Sequence, residues 1–178
     1  MLKEYYFRDA KQDDDGYEEY DIKGDAYKEL LRICFLYCDV VSFYIRDPGK
    51  IDLEEELEPY RIPTKDVKFD KHRYFDIYPY NRSKYRFYRL CPQIKELMEK
   101  HANSIFEWLN GWGFQNPEDP AFYRNDGSVF FSSVIHEGEL LLNPREGEDI
   151  TGLFQFSVWW KDRTMQERAY GTDTDLKD

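Results

Sequence analysis

The chain predicts an α+β fold, an antiparallel sheet of about five to seven strands packed by two main helices, 25–38 and 92–110. Three observations carry that reading. Apolar residues recur at helical spacing in those two stretches. Strict alternation recurs in several short runs bounded by turn residues. At 178 residues the length suits one domain, taken as 1–165, with the polar residues 166–178 as a flexible tail.

In chain order, Leu2, Tyr5, Tyr6 and Phe7 suggest a short strand at a sheet edge, followed by a solvated acidic loop at Asp13, Asp14 and Asp15. Consecutive aspartates lack the alternate-position ligands of a calcium loop. Over 25–38, Tyr27, Leu30, Leu31, Cys34, Phe35 and Cys38 make one helical face, with Asp25 as the expected N-cap. Val41, Phe43 and Ile45 then alternate with Ser42 and Tyr44, which reads as a strand ended by Asp47-Pro48-Gly49. Leu53 and Leu57 suggest a short helix stopped before Pro59. Alternation over 74–78 and 84–90 suggests a hairpin. In 92–110, Pro92 suits the first turn and Ile94, Leu97, Met98, Ile105, Trp108 and Leu109 form the stripe, with Asn110-Gly111 as the stop.

The stretch 116–142 carries the densest local code. It reads as an acidic turn bracketed by Pro117 and Pro120, a short strand 122–124, an Asn125-Asp126-Gly127 turn, a strand 129–135 and a corner at His136-Glu137-Gly138-Glu139. A polar loop follows at 143–149. Alternation of Phe154, Phe156, Val158 and Trp160 then predicts a strand over 152–160.

Fifteen Tyr, thirteen Phe and four Trp make 18% of the chain, while mean hydropathy is −0.82. Aromatics bury large areas, so an ordered domain with a small core and a wide aromatic rim is expected. The net charge of −11 disfavours nucleic acid and anionic membrane as partners and suits a basic protein. Three cysteines, Cys34, Cys38 and Cys91, form no disulfide framework and suggest reduced thiols in the cytoplasm. Neither a signal-peptide run nor a membrane span is expected. Cys34 and Cys38 make half a zinc site at best, so core thiols, no metal and no cofactor are expected.

The sequence lacks a Gly-x-Ser-x-Gly elbow, a Walker loop, a Gly-x-Gly-x-x-Gly turn and a His-Glu-x-x-His helix. What remains is a cluster of weak catalytic candidates: Asp119, His136, Glu137 and Glu139. If the strands on either side pair, His136 approaches Asp119 or Glu118, and a carboxylate–imidazole pair can orient a general base or, with Glu139, bind a divalent metal. The plainer reading is a hairpin corner fixed by a hydrogen bond. Trp112, Tyr123, Trp159 and Trp160 are candidates for an aromatic binding patch, or else they close the core. Residues 61–90 hold nine Lys and Arg against three Asp, interleaved with aromatics. That pattern suits single-stranded nucleic acid, or an outward charged sheet face.

The blocks Tyr37-Cys38-Asp39-Val40-Val41-Ser42-Phe43-Tyr44-Ile45-Arg46-Asp47, Pro117-Glu118-Asp119-Pro120-Ala121-Phe122-Tyr123-Arg124 and Ser132-Ser133-Val134-Ile135-His136-Glu137 resemble a group of small uncharacterised bacterial cytoplasmic proteins. The resemblance implies a one-domain bacterial protein and carries over no activity and no site residue. The functional expectation is a non-enzymatic protein-binding module, immunity-like, for a basic partner. The alternatives are a hydrolase or metal-dependent enzyme built on the Asp/His/Glu cluster at 118–139, and single-strand nucleic-acid binding through 61–90.

Overall fold

The computed structural model of the chain describes residues 4–13, 16–49, 51–68, 84–111 and 113–161. Its elements are β1 (Tyr5–Arg8), β2 (Ala10–Asp13), β3 (Gly16–Glu19), α1 (Asp25–Tyr37), β4 (Val40–Tyr44), α2 (Asp52–Leu57), β5 (Arg61–Ile62), β6 (Tyr85–Arg89), α3 (Pro92–His101), β7 (Asn110–Gly111), β8 (Phe114–Gln115), β9 (Glu118–Tyr123), β10 (Val129–Val134), β11 (Glu139–Leu142) and β12 (Trp160–Lys161). The class is α+β, as the alternating and helical runs predict. An eight-stranded sheet runs β12-β1-β11-β10-β9-β4-β6-β5, and each of its pairs is antiparallel. Six strands of four to six residues form the body. The two-residue strands β5 and β12 close the edges, which leaves little unpaired backbone as a template for aggregation. β1 therefore lies one strand in from the edge, rather than on it.

Side-chain alternation gives the sheet two apolar faces. On the first, Val41 and Phe43 of β4, Tyr88 of β6, Phe122 of β9 and Leu140 and Leu142 of β11 pack against α1 and α3. On the second, Val40 and Tyr44, Tyr85 and Phe87, and Ala121 and Tyr123 form a smaller cluster with Ile62 and Val67. α1 buries Tyr27, Leu30, Leu31 and Cys34, each aliphatic side chain contributing roughly 1.5–3 kcal/mol. Trp108 joins the layers: its ring stacks on Phe43 at 4.9 Å. Its Nε1 donates to the Tyr27 hydroxyl at 2.8 Å, which itself donates to the Met98 carbonyl at 3.2 Å.

Several boundaries differ from the sequence reading. Asp25 is the first residue of α1 and not its cap. Gly24 occupies the cap position at φ 58°, where a glycine is at ease, and its N–H donates to the Asn103 carbonyl. α3 ends at His101 instead of 110. Ala102 is extended, and the chain turns to pair with residues 22–24: Lys23 bridges Ser104 and the Ile105 N–H donates to the Ile22 carbonyl. Ser104 then caps a fresh 3-10 turn, Ile105–Glu107, by accepting from the Phe106 N–H, while Glu107 accepts from the Asn103 N–H at 2.7 Å. This is a near variant of a capping box. The apolar stripe is genuine, but Ile105 and Trp108 reach the core from the turn, not from a continued helix.

The expected strand over 152–160 is largely absent. Asp149 accepts from the Thr151 N–H at 2.9 Å and hydroxyl at 2.7 Å, nucleating a 3-10 turn over Thr151–Gln155, and only Trp160–Lys161 pairs. The Pro-bracketed turn at 117–120 is also not a turn, because Glu118 to Pro120 already lie in β9. β2 and β3 pair antiparallel, with Asp13 opposite Gly16; Asp14 and Asp15 of the expected acidic loop lie outside the described residues. The hairpin proposed over 74–90 lies outside the described residues except for β6, as do Trp112, Leu2 and the tail. Among the described residues no helix is long and apolar enough to cross a membrane.

Candidate functional site

The hairpin β9–β10 turns at Asn125-Asp126-Gly127, where the Arg124 N–H donates to the Ser128 carbonyl and the Gly127 N–H to the Arg124 carbonyl. At its other end β9 carries a bulge. Ser42 faces Ala121 and Tyr44 faces Glu118, so β9 fits one more residue between these pairs than β4 does. Asp119 absorbs the excess with φ 53°, a left-handed conformation that Asp tolerates better than most residues. Its Oδ1 accepts from the Ile135 N–H at 2.8 Å, at the start of the 3-10 turn Ile135–Glu137, which Gly138 closes at φ 66°. The corner is thus fixed by Asp119. Burial pushes the Asp119 carboxyl up to about 6, against the Ile135 hydrogen bond and the nearby His136, which pull it down.

Of the other catalytic candidates, His136 stays near enough to act on the Asp119 carboxyl, while Glu139 is paired elsewhere. His136 and Glu137 are exposed, with Nε2 of the imidazole 3.3 Å from Oε1 of Glu137. Glu139 pairs with Arg8 at 2.8 Å across β11 and β1. Glu118 is buried and meets the Arg46 guanidinium at 2.9 and 3.0 Å. Among the described residues no three His, Cys, Asp or Glu side chains are placed to hold a metal. Cys34 and Cys38 are free and buried, and Cys91 is free and half-buried; burial pushes the Cys34 and Cys38 thiols up, away from reactive thiolate.

Of the expected aromatic patch, two members are core residues, while Trp112 and the Trp160 side chain lie outside what is described. Tyr123 is fully buried in the second-face cluster, where its hydroxyl lies 3.1 Å from the Ser42 hydroxyl. Trp159 is buried in the main core with its ring 5.6 Å from Phe7. Alternation in strand-like sequence cannot tell a binding aromatic from a core one. In the basic segment, Arg61 pairs with Glu58, Lys84 donates to the Arg46 carbonyl and lies over the Tyr44 ring, and Tyr85, Phe87 and Tyr88 are buried. The described part of the segment therefore presents no row of aromatics for stacking.

Two features escaped the sequence reading. The first is Arg124, a buried guanidinium. Its Nε and Nη2 fork onto Glu148, both at 2.6 Å, Nη2 also donates to the Asn143 carbonyl, and Nη1 serves Ser128 and the Val129 carbonyl. Every N–H of the fork has an acceptor, so this group ties the hairpin to the 143–149 loop. Arg145 adds a bridge to Asp126 at 2.7 Å, and hydrogen bonds from Ser128 and then Arg145 hold the Asp126 carboxyl well below its ordinary range.

The second feature is apolar. Phe154, Phe156 and Val158 are 42%, 50% and 46% exposed, three large hydrophobics within five residues. Leu153 and Trp159 face inward and these three outward. Beside them the loop 144–151 and the Tyr5–Phe154 ring pair bound a cleft of about 560 Å³. Comparison of the chain with protein-family models, curated proteins and solved structures found no match.

Proposed function

We propose that this chain is a non-enzymatic protein-binding module whose partner is a basic protein, as immunity proteins are for toxins, and that it works in the bacterial cytoplasm. The observation that carries the reading is the outward run Phe154, Phe156 and Val158 on a chain of net charge −11. Large hydrophobics exposed close together are a feature of interaction surfaces. Partner aromatics and aliphatics anchor on such residues, while the net negative charge of the chain accelerates encounter with a basic protein and rejects acidic ones. Three free cysteines, two of them buried, suit a reducing compartment.

The test is a photo-crosslinking amino acid placed at Val158 in the native host, with Arg89 on β6 as the control position. One dominant adduct with a basic protein is expected from Val158, absent from Arg89 and lost on Phe156→Ser. Identical products from both positions would refute the reading.

A second reading, an acid–base or metal-dependent hydrolase at Asp119, has one favourable observation: a carboxyl raised to about 6 on a strained backbone. Against it, Asp119 already holds the Ile135 N–H, and Glu139 faces Arg8.

A further inference from the structure

We infer that the cleft between loop 144–151 and the Tyr5–Phe154 ring pair receives an arginine side chain of the protein partner. The inference rests on the protein-binding reading and gives that partner a chemical signature. Its basis is the pairing of an aromatic wall with two carboxylates that no cation among the described residues claims.

The wall is formed by Tyr5 and Phe154, with ring centroids 5.3 Å apart and planes tilted by 60°. Four charged residues line the same cleft: Arg145, Glu146, Glu148 and Asp149. Two of them are spent inside the molecule. The Arg145 guanidinium is drawn to Asp126 at 2.7 Å and to the Ser128 hydroxyl at 2.7 Å. Glu148 is forked onto Arg124. Arg32, whose charge Asp149 feels, is itself forked onto Glu29 at 2.7 and 2.8 Å.

Glu146 and Asp149 remain. Glu146 is exposed and has no partner among the described residues. Asp149 uses Oδ1 to cap Thr151, which leaves Oδ2 for a ligand, and those hydrogen bonds hold its carboxyl below the ordinary range, so it is ionised at neutral pH. A cleft of about 560 Å³ lies within the size range of ligand sites, roughly 300–1,000 Å³. Arginine fits this lining better than lysine. Its planar guanidinium stacks on a ring face while its fork meets carboxylates, whereas an ammonium is a compact, strongly hydrated charge. Phe156 and Val158, next along the chain, then cover apolar residues flanking that arginine.

The experiment titrates the 15N-labelled full chain with the acetylated, amidated peptide Ser-Gly-Arg-Gly-Ser and follows backbone amide shifts. The same peptide with citrulline, which keeps the shape and removes the charge, and with lysine serve as comparisons. Saturable shifts confined to Tyr5 and 145–154 are expected for the arginine peptide, smaller ones for lysine and none for citrulline. Glu146→Gln, at an exposed side chain, and Phe154→Ala should each weaken binding about threefold.

Equal shifts with citrulline, arginine shifts scattered over the surface, or affinity unchanged in both variants would overturn the proposal. Concentration-dependent shifts of these amides in the free protein would assign the cleft to a second copy. Contacts from residues 162–178 to the Phe154 ring in the free protein would assign it to the chain's own tail. Either result overturns it too. If the peptide arm fails while Val158 still crosslinks to a basic protein, only the arginine cleft falls. If the Val158 adduct is absent, the protein-binding reading itself falls.

Discussion

Replacing Arg124 with Met should open the hairpin-to-loop joint while leaving the apolar core intact. The aliphatic stem is kept and the guanidinium is lost, together with its bonds to Glu148, Asn143, Ser128 and Val129. Breaking a buried pair by removing one partner costs about 3–5 kcal/mol. Glu148 keeps some contact with solvent, so about 2–4 kcal/mol is expected here. For a chain of this length that is a fall in melting temperature on the order of 10 °C.

The pH dependence is a second signature. Burial pushes the Glu148 carboxyl up, but the hydrogen bonds from Arg124 and the Arg145 N–H, with their charges, outweigh it and the net direction is down. A carboxyl whose folded pKa is depressed contributes stability above its unfolded pKa, near 4.5, and loses it as pH falls through the lower folded value. The parent should therefore lose part of its advantage over Arg124→Met below about pH 4. Urea unfolding of the parent, Arg124→Met, Glu148→Met and the double variant at pH 7 and pH 3.5 closes the cycle. The double variant should be more stable than the summed single losses predict, because no charge is left unpaired. A single-variant loss under about 1 kcal/mol, or strict additivity, would refute the claim that this pair clamps the loop.

Three further outcomes follow from the same geometry. Asp119→Asn keeps an acceptor for the Ile135 N–H and tolerates φ 53°; because the Asp119 carboxyl is raised on folding to about 6, it costs stability as pH rises from about 4 to 6. The Asn variant should thus be about 1 kcal/mol more stable at pH 7 and flatter between pH 4 and 6 in urea titrations, whereas Asp119→Ala should lose about 2–4 kcal/mol. Tyr27→Phe removes the acceptor of the buried Trp108 Nε1–H and the donor to the Met98 carbonyl, with an expected cost of about 1–3 kcal/mol by thermal melt and a change in Trp fluorescence. Phe156→Ser, at a half-exposed ring, should leave stability within about 0.5 kcal/mol while abolishing the Val158 adduct.

Much of the framework was legible in the sequence because it depends on local rules. The helical face of α1, the strand β4, the short helix α2, the Asn125-Asp126-Gly127 turn and the strand β10 follow from periodicity and turn chemistry that act within a few residues. The break after His101 was partly legible: Ser104 and Glu107 spell a cap inside what looks like a continuous stripe. The turn at 151–155 carried a similar hint in Asp149, an Asx-type cap two residues ahead of Thr151. In both places apolar periodicity suggested a longer element than the caps allow, and the caps win because they satisfy backbone groups directly.

The candidate site was less legible, since its residues meet only across the fold. Asp119 was singled out beside His136, yet the bulge opposite Phe43 that strains it comes from the β4–β9 register. Nothing local marks Arg124 as buried, because its carboxylate lies 24 residues on. Tyr123 and Trp159 look like surface aromatics by composition and are core by tertiary packing. Phe154, Phe156 and Val158 look like the buried side of a strand and face outward. The sequence by itself determined the α+β class, the acidic charge and the local turns, because these depend on neighbours along the chain. Only the tertiary structure decided which aromatics face solvent and which charges cancel, because burial and ion pairing depend on neighbours in space.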